Sequence, residues 1–249
     1  YMKFFLLFLY FLFQASAWGN DITIAVASNF MLPMKEIVSK FEAETKFKAT
    51  TVYGSSGKLY AQINEAAPYD IFFSADQEKV DGLINAKLAK KKNRYIYAIG
   101  KLAIWSTNPT YMLNDALDLK KYKIKKIAMA NPKHAPYGKA GISFLKKINL
   151  YDKVKDKLIF GENISQTYQF AASGNADFAL IALSQIAHKP HLKKNTWVVA
   201  QELHEPIIQE AIILNRGSDK MAAFTFMEFL QKDKIKTIIE SYGYKTLAN

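Results

Sequence analysis

A two-lobed α/β protein is what this chain predicts, and three observations carry the prediction. Strand-like and helix-like runs alternate in two separate blocks. A long strand-like segment with a glycine at its centre joins the blocks, and 249 residues suffice for two lobes with cores of their own. Half the residues are apolar and 22% are charged, with no low-complexity tract, which is the composition of a globular body. No cysteine is present, so packing must stabilise the fold, and thiol nucleophiles and cysteine-based metal sites are excluded.

The chain opens with Lys3, an unbroken apolar run over residues 4–13 and then Ala15-Ser16-Ala17, the pattern of a secretory signal peptide over residues 1–17. A run of this length is too short to span a bilayer as an ordinary helix, which needs ~20 residues. Residues 21–27 then alternate Ile22, Ile24 and Val26 against smaller side chains and read as a strand, with Ser28 or Asn29 as the cap of a following helix. That helix carries Met34, Ile37, Val38 and Phe41 on one stripe, and Pro33 fits because it falls in the first turn. Residues 47–53 form a second strand, followed by a helix marked by Leu59, Ile63 and Ala66. Residues 69–73 form a third, with Asp76 as N-cap of a helix bearing Val80, Leu83, Ile84 and Leu88. Three successive strand-to-helix units imply a parallel sheet with right-handed crossovers.

Residues 94–106 are strand-like throughout and pass through Gly100, which marks a crossing between lobes. The second block repeats the alternation: strand 124–130, helix 138–148, strand 158–160, helix 165–172, strand 178–183. Two further strands are expected at 196–201 and 206–214, followed by a helical end with stripes at Ala222, Phe226, Phe229, Leu230 and at Ile235, Ile238, Ile239. The resulting division is a first lobe of residues 21–99 and 216–249 and a second of residues 100–215. Each lobe should hold a mainly parallel sheet flanked by helices, with a ligand cleft between the lobes at the carboxyl ends of strands.

The net charge of +12 raises the question of nucleic acid, but the excess is lysine, with Arg94 and Arg216 the only arginines. Those lysines are spread along the chain. They describe a solvated basic surface with a weak pull on small anions, and no nucleic-acid partner is expected.

Chemistry concentrates at four strand-to-helix junctions: Ser28-Asn29, Ser55-Ser56-Gly57, residues 132–138 and residues 162–166. At each, the first helical amides point out of the helix start and need a partner, and the helix dipole favours negative charge. Any one such serine is explained by capping a helix; four junctions in a two-lobed exported protein point to a shared oxyanion. Neither of the two first-lobe junctions holds a carboxylate, and Glu162 is expected to face solvent. Wiring made of donors suits a fully ionised dianion such as molybdate, tungstate or sulfate, and not a protonated phosphate, which needs an acceptor. Gly54-Ser55-Ser56-Gly57-Lys58-Leu59 is not a nucleotide-binding P-loop, because two residues separate its glycines and leucine follows the lysine. There is no G-x-S-x-G elbow, and no motif places any of the four histidines, 134, 188, 191 and 204, beside a serine, so no enzyme is expected. His188 and His191 read as solvated side chains of a lysine-rich loop.

Five segments in order resemble the periplasmic molybdate-binding proteins of ABC importers, over residues 21–244. They are Ala25-Val26-Ala27-Ser28, the Gly54 to Leu59 loop, Pro68 through Asp76, Ala130 through Gly138, and Tyr242-Gly243-Tyr244. The resemblance implies a type II periplasmic-binding-protein fold on a two-strand hinge, closing over molybdate or tungstate. It also implies a periplasmic monomer that delivers its ligand to a membrane permease driven by an ATPase, with no cofactor and no metal beyond that of the oxyanion. Carried over by position, Ser28 and Ser56 donate through hydroxyl and amide, and Tyr137 and Ile164 through backbone amides. Ser56 fits the family pattern better than Ser55, and Lys58 faces solvent. One departure stands out: many members carry a tyrosine donor where this chain has Ala182. The Tyr137 hydroxyl, Ser184 or a water are the substitutes to consider. A binder of sulfate or another small oxyanion on the same fold, and a secreted hydrolase or surface adhesin, are the alternative functions.

Overall fold

The computed structural model describes residues 21–247, so the signal-peptide segment over residues 1–17 lies outside the described residues. The first block runs β1 (Asp21–Ala27), α1 (Met31–Glu44), β2 (Lys48–Gly54), α2 (Ser56–Asn64), β3 (Ile71–Ser74) and α3 (Glu78–Asn85). The chain then crosses from β4 (Ala89–Gly100) into β5 (Leu102–Trp105). The second block follows with β6 (Ile127–Ala130), α4 (Pro136–Lys147), α5 (Tyr151–Val154), β7 (Leu158–Gly161), α6 (Ile164–Ala172), β8 (Phe178–Ala182) and β9 (Thr196–Val198). Strand β10 (Ile207–Leu214) and helices α7 (Met221–Leu230) and α8 (Asp233–Ser241) complete the order. Among the described residues, no helix is long and apolar enough to cross a membrane.

Two five-stranded sheets form, in the orders β2-β1-β3-β10-β4 and β7-β6-β8-β5-β9. The expectation of mainly parallel sheets is corrected here to mixed ones. Strand β10 pairs antiparallel with both β3 and β4, and β5 pairs antiparallel with both β8 and β9. In each sheet the reversed strand is the one arriving from the other lobe. A strand that enters from the junction runs away from it, whereas strands feeding helices at the junction run towards it.

Strand β10 also shifts the expected lobe boundary. Placed at residues 206–214 in the second lobe by the sequence reading, it sits at the heart of the first sheet. The return crossing therefore lies before Ile207, and residues 207–215 go with the first lobe. Nothing in the alternation of residues 207–214 says which sheet they join; pairing with Ile71 through Ser74 and with β4 decides it.

The first lobe packs its core around Ile24, Phe30, Phe41, Phe73, Phe226 and Phe229, all essentially inaccessible. Phe41 meets Phe226 and Phe229 edge-on at 4.9 and 5.5 Å, which fastens α1 to α7. The second lobe is built on Ile104, Met129, Phe144, Phe178 and Leu180. Several local expectations shift. Phe30, not Ser28 or Asn29, is the N-cap of α1, because residues 28–30 first make a 3-10 turn. Gln77 precedes α3, while Asp76 accepts the Lys79 amide at 3.0 Å from one position earlier. Ala66 adopts φ of 61° and Leu88 lies beyond α3, so neither is helical, yet Leu88 still packs beside Val80 and Leu83.

Candidate functional site

The four junctions meet. Residues of β1 and β2 at their carboxyl ends, and the starts of α2, α4 and α6, enclose a small cavity between the lobes, lined by Ser28, Ser56, Tyr137 and Ile164 among others. Its volume is about 10 Å³. That is close to the least that holds one water. No acidic or basic side chain is among its lining residues.

Each predicted residue brings a donor whose surroundings can be followed. Ser28 is buried where β1 turns into the 3-10 segment. Ser56, the first residue of α2, is 1% exposed, and its Oγ accepts the Ala75 amide at 2.9 Å. That acceptance leaves the hydroxyl proton of Ser56 free to point elsewhere. In α4, Pro136 at the first position has no N–H and the Gly138 amide bonds the Ala135 carbonyl at 2.9 Å, which leaves the Tyr137 amide between them. In α6 the Asn163 side chain caps the amides of Ser165 and Gln166 at 2.9 and 3.1 Å. The cap skips Ile164, whose amide stays uncommitted at the cavity.

The Tyr137 hydroxyl is engaged elsewhere. It receives the Gln209 Nε2 donor at 3.4 Å beneath Gly100, where a Cβ would lie 2.3 Å from it. Burial pushes this phenol well above its ordinary pKa, and burial likewise pushes Tyr244 up to about 12, so both stay protonated at neutral pH. Ser184 is occupied too: its Oγ donates to the Asn29 carbonyl at 2.8 Å and accepts the Tyr244 hydroxyl at 3.0 Å. Ala182 is buried in the second-lobe core, with its amide bonded to Gln185 Oε1 at 3.0 Å. Ser184 is therefore committed as both donor and acceptor, while the Tyr137 hydroxyl accepts from Gln209 and faces Tyr244.

Asn29 and Ser55 also line the cavity; both stand in the junctions named from the sequence, where Ser28 and Ser56 were preferred as donors. The Asn29 side chain donates to Gln209 Oε1 at 2.7 Å and to the Tyr244 hydroxyl at 2.9 Å, linking the cavity wall to β10 and to the carboxyl-terminal segment. Asn29 stood in the quoted junction, but its partners are 180 and 215 residues away, beyond any local pattern.

Contacts between lobes surround the cavity. The Gly57 amide donates to the His134 carbonyl at 2.8 Å, and a Cβ on Gly57 would fall 2.8 Å from that oxygen. Lys58 pairs with Glu162, and Lys139 with Glu78, each across the gap. Glu162 and Lys58 are exposed as expected, but they face each other as well as solvent. The hydrogen bond from Lys139 holds the Glu78 carboxyl down at about 2, and the bond from Lys58 lowers that of Glu162. Elsewhere, the His188 ring stacks on Tyr242 at 4.0 Å, and among the described residues no cluster of three or more His, Asp or Glu side chains suits a metal ion.

Comparison with known proteins agrees over nearly the whole chain. A family model described as bacterial extracellular solute-binding protein matches residues 22–245. The molybdate-binding protein ModA of Azotobacter vinelandii is 39% identical, covering 94% of this chain and 93% of that protein. ModA of Rhodobacter capsulatus is 37% identical, covering 92% and 90%. The solved structure of the Azotobacter vinelandii periplasmic molybdate-binding protein superposes with a TM-score of 0.86 at 33% identity, covering 91% of this chain and all of that one.

Proposed function

The chain belongs to the bacterial extracellular solute-binding protein family, and from that premise we propose that it captures molybdate or tungstate as a tetrahedral dianion between its lobes. Its role is to hand the ion to the membrane permease of an ABC importer driven by an ATPase. The family binds solutes and performs no covalent chemistry. In this reading the signal peptide over residues 1–17 directs the chain to the periplasm, where it works as a monomer on a type II fold with a two-strand hinge. The two relatives named for molybdate, each above 35% identity over at least 90% of both chains, support that choice of ligand.

One observation carries the reading: donors from both lobes converge on a cavity lined by no carboxylate, lysine, arginine or histidine. Ser28 and Ser56 donate through hydroxyl and amide, and Tyr137 and Ile164 through their amides. Helix starts in both lobes supply the compensating field. A fully ionised dianion needs donors alone. Phosphate near neutral pH carries a proton that would face only other donors, and an unmatched buried proton costs about 1–3 kcal/mol. A thermal-shift panel tests this directly: molybdate and tungstate should raise the unfolding midpoint at concentrations where phosphate does not. Stabilisation by phosphate equal to that by molybdate, or by neither, would defeat the proposal.

A further inference from the structure

We propose that Ser55 is an additional anion-binding residue, whose hydroxyl stands in for the tyrosine donor absent at Ala182. The inference rests on the oxyanion reading above and names a donor that reading leaves out.

Ser55 occupies the N-cap position of α2, with φ of −72° and ψ of 148°, yet its side chain makes no capping bond. A serine at that position ordinarily accepts the amide two or three residues on. Here the Gly57 amide has gone to His134 of the other lobe, and the Ser55 carbonyl accepts the Leu59 amide at 3.0 Å. The Ser55 Oγ is sealed from solvent and bonded to no protein group, although the residue is 3% exposed and lines the cavity. Among the described residues the other buried side-chain atoms without a hydrogen bond are Tyr53 Oη, Trp105 Nε1 and Asp70 Oδ1, the last ion-paired to Arg216, and none of those three residues lines the cavity.

A buried hydroxyl without a partner is costly, and such groups are few in folded proteins. The contact that takes one of its usual partners, the Gly57 amide, also joins the two lobes. An oxyanion in the cavity satisfies it. Ser184 has given its proton to the Asn29 carbonyl, and the Tyr137 hydroxyl accepts from Gln209 and faces Tyr244, whereas the Ser55 hydroxyl has no protein partner. This hydroxyl is the uncommitted donor of the Gly54 to Gly57 loop beyond Ser56.

The test is calorimetric titration of molybdate into the wild type and Ser55→Ala, with thermal unfolding of both in anion-free buffer. Affinity should fall about 10- to 100-fold, as expected for one charge-assisted hydrogen bond. The anion-free midpoint should not fall, because no cap is lost. An affinity within about threefold of the wild type overturns the inference. A lowered anion-free midpoint overturns it equally, since the hydroxyl would then be supporting the helix start. Failure of the wild type to bind any dianion refutes the underlying reading instead, so the two failures are distinguishable.

Discussion

At the scale of single residues, the serines of the cavity separate by what their hydroxyls already do. Ser56 accepts from Ala75 and keeps its proton, so Ser56→Ala removes a donor to the anion and also leaves the buried Ala75 amide unpaired. Molybdate affinity should drop at least ~10-fold in calorimetry and the anion-free unfolding midpoint should fall as well. Tyr137→Phe should behave oppositely. Its hydroxyl bonds Gln209 and its contribution to the anion is the backbone amide, so affinity should stay within about threefold of the wild type while stability declines. The four junctions that line the cavity were legible in the sequence because strand-to-helix junctions have a local signature. The choice of Ser28, Ser56, Tyr137 and Ile164 within them came from the family resemblance. The use of each side chain was not legible. Tyr137 and Ser184 bond Gln209 of β10, Asn29 of the turn after β1 and Tyr244 of the carboxyl-terminal segment, residues far from them along the chain.

At the scale of elements, Gly57 makes the closest approach of α2 to the second lobe. Gly57 is helical, and the obstruction to a Cβ is His134 of the opposite lobe. Gly57→Ala should therefore leave the anion-free protein as stable as the wild type and weaken molybdate binding about tenfold, since the cost falls on closure alone. Gly100→Ala meets its obstruction in the Tyr137 hydroxyl and Gln209 Nε2, at 2.3 and 2.6 Å. Overpacking of that kind costs about 1–3 kcal/mol and should lower the unfolding midpoint by several degrees. Gly100 itself was legible as a crossing point because a glycine interrupts a long strand pattern. The assignment of β10 to the first sheet was not, since residues that alternate in one sheet would alternate equally well in the other.

For the whole molecule, closure combines a backbone bond, two exposed ion pairs and the cavity donors. The pairs Lys58–Glu162 and Lys139–Glu78 are solvent-facing, and such pairs contribute about 0–1 kcal/mol each. Raising salt tenfold should change molybdate affinity by no more than about tenfold, with the hydroxyl and amide donors carrying the rest. Acid acts through the same pairs. Glu78 titrates at about 2, below its ordinary value of 4.5, so its contribution is present above 4.5 and is lost as pH falls towards 2. The buried phenols Tyr97, Tyr137 and Tyr244 are pushed upward and remain neutral between pH 6 and 9. Binding, followed by titration across that range, should be flat. The two-lobed plan was legible from alternation and the glycine crossing, whereas the mixed sheets follow from a chain that crosses twice. The account stands on an ion held by neutral donors from both lobes. A tungstate-soaked crystal examined by anomalous scattering should place one peak per chain in that cavity, with oxygens within hydrogen-bond reach of Ser28, Ser56, Tyr137 N–H and Ile164 N–H; a cavity without a peak, or tungstate held by surface lysines alone, would contradict it.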